Sequence, residues 1–428
     1  MLKIIDHKDF NPESLRQLAK YDMTSIEERV SSIINDVRKN KDQALFRYAL
    51  GFDKTDLTRF GLKEKKSNFE KAYKKYLKND PFFIESLKKS IDRIKKFHNS
   101  QKECGFLLRD DADGIEITGQ IVTPIENVGI YIPGGKALYP STIIMNVIPA
   151  RIAGVKNIYI TTPVINNKPV PDEILATLHL LNIRHLFKIG GAHAIAAFAY
   201  GTQSIPRVDK ICGPGNIYVT MAKKLVFGDV DIDMIAGPTE VVIIADETSN
   251  PEHIALDLLS QAEHDEMATS ILITPSKSLA GKVRKSLNTL LNKYKNPIAM
   301  ESIKTHGKAV IVDSLHKAFK ISNTIAPEHL EIMLDSPFKY LPLVKNAGCI
   351  FLGSYSPESA GDYIAGPNHT LPTMGSARFY SQLGVYHFIK RIGIVHLSKE
   401  KLAHLQPFIS KMAQKEKLLF HSLSAKRK

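Results

Sequence analysis

The sequence predicts an α/β protein built from two parallel-sheet units, with helical extensions before the first unit and after the second. The first observation is that short β-rich runs alternate with helical segments from about residue 110 onward. The second is that this alternation starts afresh after Ala236, which we take as the boundary between the units. Strands that alternate with helices across short glycine turns are typical of a parallel sheet with helices on both faces.

The first predicted segment, residues 1–110, is mainly helical. Apolar residues recur there at the spacing of an amphipathic helix, as at Ile26, Val30, Ile33, Ile34 and Val37 and again at Leu87, Ile91 and Ile94. Its many lysines alternate with apolar residues and therefore belong to the polar faces of helices. The formal net charge of +14 does not by itself predict nucleic-acid binding, and we expect no nucleic-acid partner.

Residues 111–236 form the first predicted α/β unit. Its strands and their glycine turns are "ENVGIYIPGG", "NIYIT", "HLFKIGG" and "VDKICGPGN". Residues 237–377 form the second unit, with strands "TEVVIIAD", "ATSILITPS", "KAVIVD" and "GCIFLG". Its last part, residues 354–376, is a long loop, and loops of that length in compact domains are usually functional. Residues 378–428 are predicted to be a helical tail.

The composition argues for a cytoplasmic protein. No apolar run approaches the ~18 residues of a membrane-spanning helix, and the N-terminus lacks the apolar core of a secretory signal. The three cysteines, Cys104, Cys212 and Cys349, are odd in number and far apart. They show neither a disulfide framework nor metal-ligand spacing, so a reducing compartment is expected.

Four polar clusters are candidates for chemistry. In "LLSQAEHD", Gln261 and His264 lie three apart and share a helix face, which fits either two metal ligands or a solvated last turn. The others combine a carboxylate with a histidine, and each has an ordinary surface interpretation as well: Glu328 with His329, Asp362 with His369, and Glu416 with His421. Because sites in open α/β sheets form at the carboxyl ends of strands, we expect the clusters to gather there.

Together the clusters resemble one family. The blocks "VGIYIPGG", "GPGNIYVT", "DMIAGPTEV", "LLSQAEHD", "APEHLEI", "GSYSPESAGDYIAGPNHTLPT" and "EKLLFHS" are similar, in order and spacing, to those of histidinol dehydrogenases, from about residue 20 to 424. The resemblance implies two incomplete Rossmann-like domains and oxidation of L-histidinol to L-histidine through the aldehyde, with two NAD and one zinc. It also implies a homodimer whose C-terminal tail completes the partner's site.

The resemblance assigns roles to particular residues. Glu328 and His329 would be the acid–base pair. The zinc ligands would be Gln261, His264, Asp362 and His421. These four ligands, together with His329, would also contact substrate, as would Thr239, His369 and Glu416. The cofactor contacts would be Tyr131, His193 and Asn216.

Two positions depart from the family pattern. The usual "GGAQA" is "GGAHA" here, so His193 replaces a glutamine that contacts the cofactor. The usual "AGPSEV" is "AGPTEV", so Thr239 keeps a hydroxyl and adds a methyl group. No G-x-G-x-x-G follows a predicted strand, so the usual dinucleotide fingerprint is absent.

Three other interpretations remain open. Aldehyde oxidation could proceed through a cysteine thiohemiacetal, for which Cys212 beside "GPGN" is the candidate. The scaffold could oxidise another small alcohol, although Glu416 and His421 favour histidinol. The third interpretation is a basic binding protein without activity. The complete set of ligand and acid–base residue types argues against it.

Overall fold

A computed structural model describes residues 1–16, 23–134 and 139–427. The predicted α/β class is confirmed: a five-stranded and a six-stranded sheet are parallel throughout, and a three-stranded sheet is antiparallel. No helix in these described ranges is both long and apolar enough to span a bilayer.

The described part of the N-terminal region contains one strand and four α-helices. They are β1 (Lys3–Asp6), α1 (Met23–Asp53), α2 (Leu57–Phe60), α3 (Lys66–Asn79) and α4 (Pro81–Asn99). The apolar stripe expected of α1 is buried at Ile26, Val30, Ile34 and Val37. The strand β1 was not predicted, and it belongs to the six-stranded sheet of the second unit rather than to the helical segment that follows it.

Two antiparallel strands follow α4, namely β2 (Phe106–Asp110) and β3 (Glu116–Pro124). The five-stranded sheet comes next, in the order β6-β5-β4-β7-β8. Its strands are β4 (Asn127–Tyr131), β5 (Asn157–Thr161), β6 (Leu186–Phe187), β7 (Lys210–Cys212) and β8 (Asp231–Ile232). The helices that cover it are α5 (Pro140–Ala153), α6 (Asp172–Leu180), α7 (Gly191–Tyr200) and α8 (Ile217–Val226).

The six-stranded sheet has the order β1-β11-β10-β9-β12-β13. Its further strands are β9 (Glu240–Ala245), β10 (Thr269–Thr274), β11 (Lys308–Ile311), β12 (His329–Met333) and β13 (Cys349–Leu352). The sequences "EVVIIA" and "TSILIT" are apolar on both sides because both faces are covered. The covering helices are α9 (Pro251–Ala262), α10 (Lys277–Tyr294), α11 (Pro297–Thr305), α12 (Leu315–Ile325) and α13 (Glu358–Tyr363).

The C-terminal tail is only partly helical, which corrects the prediction for residues 378–428. It begins with β14 (Ile389–Leu397) and continues with α14 (Lys399–Lys415) and α15 (Leu419–Ser424). β14 pairs antiparallel with β3 along its whole length, and Lys401 of α14 forms ion pairs with Asp110 and Glu116. The pairing partner lies more than 250 residues earlier in the chain, so local periodicity carries little information about this strand.

Candidate active site

The predicted acid–base residues lie at the amino edge of the six-stranded sheet. Thr239 directly precedes β9, and Glu328 directly precedes β12, whose first residue, His329, pairs with Val241. The expectation that the site lies at the carboxyl ends of the strands is therefore wrong for this sheet. The reason is that α9 crosses back over the sheet between two parallel strands, so that Gln261 in its last turn arrives at the amino edge.

Glu328 is buried, and one of its carboxyl oxygens is bonded twice. Oε2 accepts the backbone N–H of Glu240 at 3.0 Å and a hydrogen bond from the hydroxyl of Thr239. Burial raises the pKa of Glu328 well above its ordinary value, although these two hydrogen bonds oppose the shift. The carboxyl group therefore holds its proton more tightly than an ordinary glutamate does.

His329 is a buried imidazole beside Glu328. Its Nδ1 lies 3.4 Å from the carbonyl oxygen of Glu240 and 3.8 Å from Glu328 Oε2. Burial lowers the pKa of His329 to about 4, and the charge of Asp362 partly opposes this. Its Nε2 is buried and has no hydrogen-bond partner among the described residues. The ring is thus neutral at physiological pH, and Nε2 is available to accept a proton when Nδ1–H faces the Glu240 carbonyl.

Gln261 links Thr239 to the carboxyl group of Glu358. The end of its side chain lies 2.6 Å from Thr239 Oγ1 on one side and 2.8 Å from Glu358 Oε1 on the other. With the amide nitrogen toward Glu358, the nitrogen faces that carboxyl group and lies 3.1 Å from His329 Nδ1, and the amide oxygen lies 2.6 Å from Thr239 Oγ1. The single Thr239 proton then goes either to this oxygen or to Glu328 Oε2, but not to both. This orientation leaves the amide oxygen on the side of Thr239.

His264, Asp362 and His369 lie next to this group. Nδ1 of His264 is 2.8 Å from the carbonyl oxygen of Ser260, which leaves its Nε2 free to bind a ligand. Nδ1 of His369 is 3.0 Å from the carbonyl oxygen of Asp362, and its Nε2 is 3.4 Å from Thr142 Oγ1 on α5. The charge of Asp362 raises the pKa of both His329 and His369 against the lowering effect of burial. These side chains therefore share one electrostatic environment.

A cavity of about 560 Å³ opens beside His264 between the two units. It is lined on the first side by α4 and α5, at Phe83, Leu87 and Ile144, and on the second side by Tyr363 and Ile298. Such an apolar cleft with a few polar groups at one end is typical of a small-molecule site.

Glu416 and His421 are not brought to this group within one chain. Both are exposed on the tail, where α14 and α15 pack against each other. Within the ranges that the structure describes, no three His, Cys, Asp or Glu side chains are close enough together to hold a metal ion. One chain thus contributes Gln261, His264 and Asp362 to the predicted ligand set. The fourth predicted ligand, His421, lies apart from them.

The predicted cofactor residues follow strands of the five-stranded sheet. Tyr131 ends β4, and its buried hydroxyl accepts the N–H of Gly191 at 3.3 Å. Asn216 follows β7 and accepts the N–H groups of Tyr218 and Val219 at 3.1 Å, so it caps the N-terminus of α8. These residues lie at the carboxyl edge of their sheet, as expected for a dinucleotide-binding unit.

His193 occupies a different environment from Tyr131 and Asn216. It is 1 % exposed and packs against Tyr48 and Phe52, with ring centroids 5.5 and 6.1 Å away. Neither ring nitrogen has a hydrogen-bond partner among the described residues, and burial lowers its pKa to about 3. In this structure its ring is therefore a neutral part of the core beneath the carboxyl edge of the sheet.

Comparison with known proteins assigns this geometry to a family. The family model described as histidinol dehydrogenase matches residues 16–428. The chain belongs to the histidinol dehydrogenase family. A relative with that name from Sulfurimonas denitrificans is 46% identical over 414 residues, covering 96% of this chain and 95% of the relative. One from Listeria innocua is 50% identical over 398 residues, covering 93% and 91%.

A solved histidinol dehydrogenase has the same fold. The crystal structure from Elizabethkingia anophelis matches with a TM-score of 0.91 and 37% identity, covering 99% of this chain and 97% of that one. The resemblance first seen in seven sequence blocks therefore extends over the whole fold, and the protein is an oxidoreductase of this family.

The structure argues against a cysteine-based reaction in this histidinol dehydrogenase fold. Cys212 ends β7 in the interior of the first unit, and burial raises the pKa of its thiol strongly. Burial also raises the pKa of Cys349 to about 11. Because the thiolate is the nucleophile, neither residue is suited to forming a thiohemiacetal.

Three carboxylates of the site were missed by sequence reasoning. Glu240, Glu331 and Glu358 are all buried around the predicted acid–base pair. A signal existed for Glu331, because a charged residue two positions after His329 in an otherwise buried strand is unusual. Glu358 precedes Asp362 by four residues on α13, which places both on one helix face. Glu240 lies inside the "AGPTEV" block that we used only for its threonine.

Proposed function

We propose that the protein oxidises L-histidinol to L-histidine through L-histidinal, with two NAD as hydride acceptors and one zinc ion per chain. Family membership supports the substrate. The observation that carries the proposal is a set of contacts at the amino edge. Thr239 bridges the carboxyl group of Glu328 and the amide of Gln261. Beside them lies Nε2 of His329, which has no hydrogen-bond partner among the described residues.

The residues present fit a zinc ion that also accepts substrate. Gln261 offers an amide oxygen, His264 a free Nε2 and Asp362 a carboxylate, a donor set of nitrogen and oxygen that zinc accepts. Only His264 and Asp362 in this set are strong zinc ligands. A complete zinc site therefore needs a further histidine. When bound, zinc holds the substrate's imidazole and amine in place, and NAD takes the hydride.

His329 performs the first proton transfer in this proposal. Its Nε2 accepts the proton of the substrate hydroxyl as hydride leaves the carbinol carbon, which yields the aldehyde. A neutral imidazole is needed for this step, and burial supplies it by holding the pKa of His329 at about 4. Glu328, 3.8 Å from Nδ1, stabilises the imidazolium that forms.

Glu328 performs the second proton transfer. The aldehyde must be hydrated before a second hydride can leave, and the Glu328 carboxylate removes a proton from the attacking water. Its raised pKa makes the carboxylate a stronger base than an ordinary glutamate. The hydroxyl of Thr239 and the N–H of Glu240 hold the carboxyl group in one orientation.

We also propose a homodimer in which Glu416 and His421 reach the partner's site. The tail exposes a set of large apolar side chains that need a partner surface, namely Phe408, Met412, Leu418, Leu419 and Phe420. The two outer strands of the three-stranded sheet, β2 and β14, expose Leu107, Leu108 and Val395 as well. Exposed apolar surface of this extent marks an interface. We place the reaction in the cytoplasm, in line with three cysteines that form no disulfide.

Turnover of L-histidinol tests the proposal directly. Purified protein loaded with zinc should form two NADH per L-histidinol, and a chelator should abolish this until zinc is restored. Elemental analysis should find ~1 zinc per chain, as for a catalytic site. Full activity with less than one tenth of a zinc would contradict the metal assignment. Oxidation of other small alcohols in place of histidinol would contradict the substrate.

A further inference from the structure

The short helix α13 carries Asp362 in its last turn, and side chains from elsewhere in the chain hold the end of that turn. The turn itself is closed by Ile364 N–H and Ala365 N–H, which donate to the carbonyl oxygen of Ala360 at 2.9 and 2.6 Å. The last carbonyl groups of a helix have no partner within the helix. In a helix of only six residues these groups are a large share of the whole, so their partners matter for the shape of the turn.

Two side chains of α4 supply partners for these carbonyl groups. Ser90 is 7 % exposed, and its hydroxyl donates to the carbonyl oxygen of Tyr363 at 2.5 Å. Arg93 donates from Nε to the carbonyl oxygen of Ile364 at 2.6 Å, and its Nη2 lies 3.5 Å from that of Ala365. A guanidinium that donates to the negative end of a helix forms a charge-assisted hydrogen bond and also opposes the helix dipole.

The chain directly after α13 packs on the same face of α4. Gly366 has a φ angle of +125°, and a Cβ added there would lie 3.2 Å from Cβ of Phe97. Ser90, Arg93 and Phe97 are spaced three and four residues apart, so they share one face of α4. One helix face therefore contacts residues 363–366 by hydrogen bonds and by close packing.

The other end of the same segment is held by α5. Asn368 is 1 % exposed, and its Nδ2 donates to the carbonyl oxygen of Met145 on α5 at 2.6 Å. The next residue, His369, has its Nδ1 3.0 Å from the carbonyl oxygen of Asp362. Since α4 and α5 pack against each other, the segment from Asp362 to His369 is attached to one rigid pair of helices.

We propose that Ser90 and Arg93 are positioning residues, which cap the C-terminal end of α13 and thereby fix Asp362 for the metal and the substrate. The inference rests on the proposed function, since the position of Asp362 matters for the reaction only if Asp362 binds the zinc ion. α4 packs on α5 of the first unit, whereas α13 belongs to the second. The cap thus fixes a metal ligand of one unit relative to the unit that is assigned to NAD.

Hydrogen exchange tests the cap without metal or turnover. In the double variant Ser90→Ala/Arg93→Met, protection of the Ile364 and Ala365 N–H groups should fall about tenfold or more, because loss of the capping hydrogen bonds allows local opening. Lys95→Met is the matched control. It removes an exposed cation of the same helix two residues after Arg93, on another face, and it should keep the protection of wild type. Unchanged protection in a folded double variant would overturn the inference.

Zinc affinity tests the consequence for Asp362. Competition with a chelator should give a dissociation constant for zinc about 10–100-fold higher in the double variant, as for loss of groups that orient a metal ligand. Arg93→Lys keeps a cation that can reach one carbonyl group, so its zinc affinity should lie closer to wild type than that of Arg93→Met. Wild-type zinc affinity in a double variant that has lost protection would overturn the positioning role.

Binding of NAD and turnover distinguish this role from a general loss of structure. With zinc in excess, the double variant should show kcat/KM for L-histidinol lowered about tenfold or more, while its dissociation constant for NAD stays unchanged. A parallel rise in the dissociation constant for NAD would show general damage and would overturn the inference. If the wild-type protein neither binds zinc nor oxidises L-histidinol, the proposed function fails, and the exchange measurement still decides whether α4 caps α13.

Discussion

The two parallel sheets use opposite edges. The five-stranded sheet presents Tyr131 and Asn216 at its carboxyl edge, whereas the six-stranded sheet presents Thr239, Glu328 and His329 at its amino edge. At a carboxyl edge helices begin, and their free N–H groups favour anions such as a diphosphate. At an amino edge helices end, and their free carbonyl groups favour cations such as zinc or a substrate ammonium.

Under the proposed function, each edge matches the charge of the ligand assigned to it. α7 and α8 begin at the first edge, and Asn216 caps α8 there. α9 and α12 end at the second edge, next to Gln261 and Glu328. An anionic cofactor suits the carboxyl edge of one sheet, and a cationic substrate suits the amino edge of another. A fold that must bring these two ligands together can therefore place the two edges opposite each other.

The largest effect is expected at the amino edge. His329→Asn should lower kcat for L-histidinol by about 10²–10⁴-fold, as for loss of a general base. In the proposed mechanism the ring accepts a proton and the metal binds the substrate, so the KM values for both substrate and NAD should change little. Steady-state kinetics measure this, and a kcat within threefold of wild type would remove His329 from the mechanism.

The amino edge should also depend on a second chain, which the carboxyl edge should not. His421→Ala and Asp362→Ala should each be nearly inactive, and unfolding and refolding them together should restore about a quarter of wild-type activity. Random pairing makes about half the dimers mixed, and each mixed dimer has one intact site of two. Continued inactivity, with mixed dimers verified by mass spectrometry, would refute a shared site.

Glu328→Gln should separate the two oxidation steps. The aldehyde step needs a water activated by the carboxylate, whereas the alcohol step uses His329. Oxidation of supplied L-histidinal should therefore slow by about 10²-fold or more, and single-turnover oxidation of L-histidinol should slow less. Histidinal oxidation at the wild-type rate would show that Glu328 is not the base for water.

His193 should make the first unit sensitive to acid. Its folded-state pKa of about 3 lies below the value of 6.5 for a solvated histidine, so its contribution is complete above pH 6.5 and is lost as pH falls toward 3. Between pH 7 and pH 5 this amounts to about 2 kcal/mol of unfolding free energy. Denaturant unfolding of His193→Gln should show a smaller loss than wild type over this interval. The exposed-residue control His404→Gln should show the wild-type loss.

The smallest effect concerns the cap at the carboxyl edge. Asn216→Ala should cost about 1 kcal/mol of unfolding free energy through loss of the cap, and it should raise the KM for NAD severalfold. Ser314→Ala removes the cap of α12, where Ser314 accepts the N–H of Lys317 at 3.3 Å. It should cost a similar free energy and leave the KM for NAD unchanged. Equal KM values for NAD in the two variants would show that the cap of α8 has no role in cofactor binding.

The sequence patterns correctly predicted the strands and helices that follow from local periodicity. Runs such as "TEVVIIAD" became buried strands, and the helical stripe from Ile26 to Val37 became the buried face of α1. β1 and β14 were missed because their partners lie far away in the chain. The predicted edge for Glu328 and His329 was wrong, because the edge they occupy depends on how far α9 crosses back over the sheet.

Within the site, residue types were predictable but partners were not. The block "APEHLEI" indicated Glu328 and His329, yet their burial against Glu240 comes from the register of β9 and β12. The order of strands in a sheet is not visible in one sequence. The burial of His193 was missed for a similar reason, because Tyr48 and Phe52 of α1 cover it from a distant part of the chain.

The pairing of Lys3–Asp6 with Lys308–Ile311 has a consequence for synthesis on the ribosome. Strand β1 leaves the exit tunnel about 300 residues before its partner β11, so the second unit cannot complete its sheet while the chain is half made. Closing a loop of that length costs about 5 kcal/mol of chain entropy, which favours early folding of the intervening unit. Removal of the first six residues would leave β11 as an exposed sheet edge, and such edges promote aggregation.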